Sequence, residues 1–108
     1  MQLRLAIALL LLTATLTLAD TDAELFQKIV GAWSERHHDM IYLQNGEWRL
    51  SKNGEATPGV MRWWIKDGCL IEFRDGVTFP PGKIIWVTPN EFFLQDANGG
   101  HSAPYYRH

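Results

Sequence analysis

The sequence predicts an all-β domain: an antiparallel up-and-down meander that closes as a small barrel, preceded by one short N-terminal helix. Three observations carry this reading. After the N-terminal apolar run, helical spacing of apolar residues occurs once, at Leu25, Phe26, Ile29 and Val30. From Trp33 onward, short apolar runs alternate with turns rich in Gly, Pro and Asn. Between the two regimes stands Gly31-Ala32-Trp33. The glycine ends the helix without a Cβ clash, and the tryptophan fills the base of the barrel.

The first segment reads as a secretory signal. Arg4 supplies the positive charge, Leu5 to Leu18 is almost unbroken apolar sequence, and Thr17-Leu18-Ala19 offers small residues at the two positions a signal peptidase reads. The run is shorter than the ~20 residues a membrane-spanning helix needs. The expected division is therefore 1–19 as signal peptide and 20–108 as a single domain, exported to the periplasm or secreted. Stable membrane insertion after cleavage is not expected.

Cleavage removes only Arg4 among the charged residues, so the formal charge moves from -2 to -3. A mildly acidic chain without a basic run gives no electrostatic case for nucleic acid. The only cysteine is Cys69, so no internal disulfide can form. Stability must come from apolar burial, for which the chain has 5 Trp, 5 Phe and 3 Tyr.

Thr21-Asp22-Ala23-Glu24 is a capping box, and the helix is expected from about Asp22 to Val30. Asp39 to Gln44 and Glu47 to Lys52 form a hairpin through Asn45-Gly46. A two-residue turn there pairs Leu43 with Trp48 and Ile41 with Leu50 on one face, and Tyr42 with Arg49 on the other. A polar loop covers Asn53 to Gly59. Val60 to Ile65 and Cys69 to Arg74 form the second hairpin. A two-residue Asp67-Gly68 turn would set Trp63 against Glu72 and mix the faces. A three-residue turn, Lys66-Asp67-Gly68, instead pairs Met61 with Phe73, Trp63 with Ile71 and Arg62 with Glu72, and is the register expected. Val77 to Phe79 is a short strand before Pro80-Pro81-Gly82. Ile84 to Thr88 and Phe92 to Gln95 form a third hairpin, with Val87, Phe92, Ile85 and Leu94 inward. Pro104 to Arg107 is the last strand.

In this order the pieces resemble the lipocalin-like (calycin) group, and more narrowly the small exported lipocalin-like domains of bacteria. They are the Gly31-x-Trp33 start, Asn45-Gly46, Gly59 with Trp63 and Ile65, Phe92 with Leu94, and the terminal Arg107. The resemblance spans nearly all of the mature chain. It implies that Arg107 packs on Trp33 as a cation–π contact that closes the lower end of the barrel. Gly31, Trp33 and Arg107 are thus its structural signature.

Two functions are expected from different classes. The first is a binding domain taking a small apolar or aromatic ligand at the barrel mouth, lined by Trp48, Trp63, Phe73 and Leu43. The second is a solid barrel that binds another protein, as an exported inhibitor or envelope module does, through Trp64 and Leu70 on the outer face. His37, His38, His101 and His108 have no zinc-site spacing, and adjacent strand residues point to opposite faces, so no metal is expected. Glu35, Glu47, Glu72 and Asp75 form no recognisable acid/base pair, and Cys69 is expected to be buried and inert. No catalytic residue and no cofactor are expected.

Overall fold

Thr21 caps the helix α1 (Asp22–Ile29): its hydroxyl accepts from the Glu24 N–H at 3.2 Å, and the Glu24 carboxylate accepts from the Thr21 N–H at 3.1 Å. The computed structural model describes residues 19–108, so the expected signal peptide, apart from Ala19, lies outside the described residues. After α1 the chain runs β1 (Gly31–Glu35), β2 (His38–Tyr42), β3 (Trp48–Lys52), β4 (Glu55–Ala56), β5 (Met61–Lys66) and β6 (Cys69–Arg74). It continues as β7 (Val77–Thr78), β8 (Gly82–Thr88), β9 (Glu91–Gln95) and β10 (Tyr105–Arg107). Among the described residues no helix is long and apolar enough to cross a membrane.

The strands form one antiparallel sheet in the order β4-β3-β2-β1-β10-β9-β8-β6-β5, with β7 on β6. Hairpin neighbours pair throughout, and the last strand returns to the first through Trp33–Arg107 and Ser34–Tyr106. The sheet curls strongly into a half-barrel and does not close fully. Its two ends meet at a single isolated bridge, Glu47 with Arg62. That meeting line is called the seam below.

All three predicted hairpin registers differ from those observed, each by one residue, and each for a physical reason. At the first turn Asn45 Oδ1 accepts from the Glu47 N–H at 3.0 Å, and Gly46 adopts φ 88°. The loop is therefore Gln44-Asn45-Gly46, and Tyr42 pairs with Trp48, Met40 with Leu50 and Ile41 with Arg49. This register turns Met40, Tyr42 and Trp48 to the buried face and leaves Ile41 exposed. At the second turn Asp67 (φ 53°) and Gly68 (φ 77°) are both left-handed, as a type I′ turn requires. The two-residue turn forms after all: Trp63 faces Glu72, Arg62 faces Phe73, and Lys66 faces Cys69. At the third hairpin a bulge between Trp86 and Thr88 turns Val87 outward, so Ile84, Trp86, Phe92 and Leu94 point inward.

The core runs along the concave face, where Trp33, Met40, Tyr42, Trp48, Met61 and Trp63 are all buried. Helix α1 closes one end. Leu25 and Ile29 enter the core, and Phe26 stacks on Trp63 with ring centroids 4.2 Å apart. The helix is also tied to the β5–β6 turn. The Asp22 carboxylate accepts the N–H groups of Asp67 and Gly68, both at 2.9 Å. Asp22→Ala should therefore lower stability by ~1–2 kcal/mol in a urea melt. Asp22→Asn, which keeps one acceptor oxygen, should recover part of the loss. Equal stability of parent and alanine variant would mean the tie carries no load.

Candidate functional site

Three places in the fold concentrate chemistry: a polar group of side chains on the concave face, a groove outside the helix end, and a cluster on the outer face of β1 and β2. On the concave face the two-residue turn at Asp67-Gly68 points Glu72 inward, opposite Trp63. Tyr42 points inward from β2 and donates its hydroxyl to Glu72 Oε2 at 2.9 Å. Tyr105 of β10 is buried beside them, stacked on Phe92 at 4.7 Å. Glu35, two residues after the inward Trp33 on β1, brings a second carboxylate to the same face.

The electrostatics follow from burial. Glu72 keeps some exposed area along its length, but loss of water around its carboxyl pushes the pKa up to about 7. The Tyr42 hydrogen bond opposes that rise, and the charge of Glu35 adds to it. Burial likewise raises the Tyr42 and Tyr105 phenols well above the ordinary range, with the Glu72 carboxylate adding to both. No basic side chain contributes to the balance at Glu72.

The groove lies between the last turn of α1 and the β8–β9 turn. It has a volume of about 520 Å³ and is lined by Lys28, Trp86, Val87, Pro89, Asn90 and Arg107, with Thr88 between. Arg107 is held firmly there. Its guanidinium carbon lies 4.1 Å from the Trp33 ring centroid. Its Nη2 donates to the Lys28 carbonyl at 2.8 Å, and its Nε donates to Asn90 Oδ1 at 3.2 Å. Nη1 makes no hydrogen bond among the described residues, and Arg107 pairs with no carboxylate there. Gly31, at φ 128°, lets the chain pass beneath this guanidinium: a Cβ there would lie 3.6 Å from Nη1, on a backbone that L-residues avoid. Trp86 contributes one more feature, a buried indole N–H with no hydrogen-bond partner.

The expected site residues divide. Trp33 and Arg107 are in the contact the resemblance implies. Trp48 and Trp63 are buried on the concave face, where their rings fill the interior and their indole N–H groups bond to the carbonyls of Phe73 (3.3 Å) and Leu43 (2.9 Å). Phe73 and Leu43 are not part of a lining. The shifted registers put Phe73 on the outer face opposite Arg62, and Leu43 at the edge of the first turn. The outer pair is also corrected. Trp64 is 38% exposed beside α1, but Leu70 faces inward and is 2% exposed. The expected Arg62–Glu72 pairing does not form: Arg62 lies opposite Phe73, its backbone meets Glu47 in the isolated bridge, and the Glu47 carboxylate pairs with Arg49 at 3.1 Å. Cys69 is half-buried rather than buried, with Sγ 3.8 Å from the Asp67 carbonyl.

A third cluster lies on the outer face. The Ser34 hydroxyl donates to Asp39 Oδ1 at 2.7 Å, and His108 Nε2 meets both Ser34 Oγ and Asp39, the latter at 3.1 Å. The hydroxyl of Ser34 and then the imidazole of His108 hold the Asp39 carboxyl below its usual range. This is not a nucleophile relay, in which the imidazole spans serine and carboxylate with opposite nitrogens. Here one nitrogen serves both, and the cluster fastens the last residue to β1, together with the His108 N–H bonded to the Ala32 carbonyl at 3.0 Å. Among the described residues no group of three or more His, Cys, Asp or Glu is placed to hold a metal.

Comparison with protein families, with curated proteins and with solved structures finds no match to this chain.

Proposed function

We propose that this chain is an exported lipocalin-like binding domain that takes a small apolar or aromatic ligand carrying an anionic group. The helix-end groove is the observation that carries this reading. Its volume of about 520 Å³ lies within the range of small-molecule sites. Its wall offers Trp86, Val87 and Pro89 for an apolar body, and the Arg107 guanidinium, which pairs with no carboxylate among the described residues, for an acid group. An arginine already oriented by three acceptors loses little further freedom on binding, and a guanidinium suits a carboxylate. The lipocalin-like part of the reading is supported by the Gly31-x-Trp33 start, by the return of the last strand to the first, and by the Trp33–Arg107 contact. The barrel mouth is a poorer seat, because Trp48 and Trp63 fill the concave face themselves. The protein-binding reading loses half of its patch with the burial of Leu70.

Titration of intrinsic tryptophan fluorescence tests it. A medium-chain fatty acid and an aromatic carboxylate should quench or shift the signal at micromolar concentration. The corresponding alcohols should bind on the order of tenfold or more weakly, since an unanswered charge costs more than a neutral isostere. Lys28→Gln should weaken the acids several-fold and leave the alcohols unchanged. A flat signal for every compound at high micromolar concentration, or equal affinity for acids and alcohols, would refute the proposal.

A further inference from the structure

The seam is stitched by the concave-face aromatics. Tyr42 on β2 reaches across to Glu72 on β6, the Trp48 indole on β3 to the Phe73 carbonyl on β6, and the Trp63 indole on β5 to the Leu43 carbonyl after β2. One backbone bond joins the same two ends, from the Trp63 N–H to the Gly46 carbonyl at 2.8 Å, beside the Glu47–Arg62 bridge. Little regular sheet pairing therefore closes this line, and side chains carry the closure. Of those side-chain links only Tyr42–Glu72 contains a group that changes charge near neutral pH.

We propose that Glu72 is a proton-controlled fastener: its neutral carboxyl, bonded to Tyr42, holds the two ends of the curled sheet together, and its ionisation loosens the seam. A neutral carboxyl is cheap to enclose and still accepts the Tyr42 hydroxyl. A carboxylate in the same place lacks water, has no cationic side chain to answer it, and shares the concave face with Glu35. The groups that act on it are Tyr42 from β2, Glu35 from β1 and Tyr105 from β10, all acidic or neutral. On its own strand Arg74 lies two residues on and turns to Asp75, at 3.8 Å. From β5 the facing residue is Trp63, which carries no charge. Opening the seam admits water to the carboxylate, so the opened form has the ordinary glutamate affinity for a proton and the closed form a higher one.

The direction follows from this difference. The closed form binds the proton more tightly, so closure is favoured at acid pH and is progressively lost as pH rises from the ordinary glutamate value of 4.5 through about 7. Between pH 5 and pH 8 the opening equilibrium should rise on the order of 50-fold. Hydrogen exchange of the Trp63 amide, corrected for the intrinsic rate, reads this directly. In the parent, protection of that amide should fall by this factor, and further than that of the β1–β2 amides. In Glu72→Gln it should stay level. Tyr42→Phe removes the donor that favours the ionised carboxyl, and should move the midpoint to higher pH. A level profile in the parent, a fall retained in Glu72→Gln, or a fall shared equally by the β1–β2 amides would each overturn the proposal. So would a Glu72 carboxyl that titrates at the ordinary glutamate value when followed by carboxyl-carbon NMR in the unmutated protein.

Discussion

Trp33→Ala is expected to lower the free energy of unfolding by ~3–5 kcal/mol, the usual cost of removing a buried indole. Trp33 is fully buried. Its ring meets Phe92 edge-on at 4.8 Å and Trp86 at 6.2 Å, and its indole N–H donates to the Ile29 carbonyl at 2.7 Å, capping the end of the helix. The substitution removes the packing and leaves that carbonyl unpaired. Arg107→Ala should cost less, ~0.5–2 kcal/mol from the cation–π contact, with a further loss from the stem and the hydrogen bonds to the Lys28 carbonyl and Asn90. Against a total stability of ~5–15 kcal/mol for a domain of this kind, the tryptophan variant approaches the threshold of folding. Denaturant melts of both single variants and the double variant should show coupling of ~0.5–2 kcal/mol, because residues in contact are not additive. Strict additivity would mean that the 4.1 Å contact contributes nothing to closing the sheet.

The parts of this fold that were legible in the sequence are those set by local chemistry. The capping box of Thr21 and Glu24, the glycine at 31, and both edges of β6 follow from side chains that act on their own neighbours. Register was not legible, because it is a choice between faces and depends on partners far away in sequence. A two-residue Asn45-Gly46 turn puts Tyr42 outward with Arg49, whereas its hydroxyl finds its partner in Glu72, 30 residues on. Alternation alone pairs Glu72 with Arg62, because a carboxylate opposite a tryptophan mixes the faces. The signal was nevertheless present. Asp67-Gly68 is a strong two-residue turn, and accepting it places a carboxylate among aromatics. A turn that fits well and a face that fits badly, in the same hairpin, mark a position where a polar group is held inside. The groove beside Arg107 was hidden for another reason. It depends on the bulge at Val87, which turns that residue out of the sheet, and no single residue there announces an irregular ladder.

Trp63 is where the helix, the core and the seam meet, and its substitution separates their contributions. The residue is 2% exposed. One face of the ring stacks on Phe26 of α1 with planes 7° apart, its edge meets Tyr42 at 5.2 Å, and its indole N–H donates to the Leu43 carbonyl at 2.9 Å. Trp63→Ala removes all three and should cost ~3–5 kcal/mol. The α1 amides should then lose protection as well, because a helix this short depends on its packed face rather than on its own propensity. Trp63→Phe keeps an aromatic ring under Phe26 and next to Tyr42 but has no N–H for Leu43. Its cost is the unpaired part-buried carbonyl, ~1–3 kcal/mol, together with a smaller packing loss. The two variants should therefore differ in kind. Exchange in the phenylalanine variant should quicken at the seam, at the amide of residue 63 bonded to Gly46, while α1 stays protected. In the alanine variant both regions should loosen. If the phenylalanine variant matches the parent in stability and in seam protection, the Trp63 indole N–H does not stitch the sheet ends, and closure must rest on the remaining links, Tyr42–Glu72, the Trp48 indole to Phe73 and the backbone bonds beside the Glu47–Arg62 bridge.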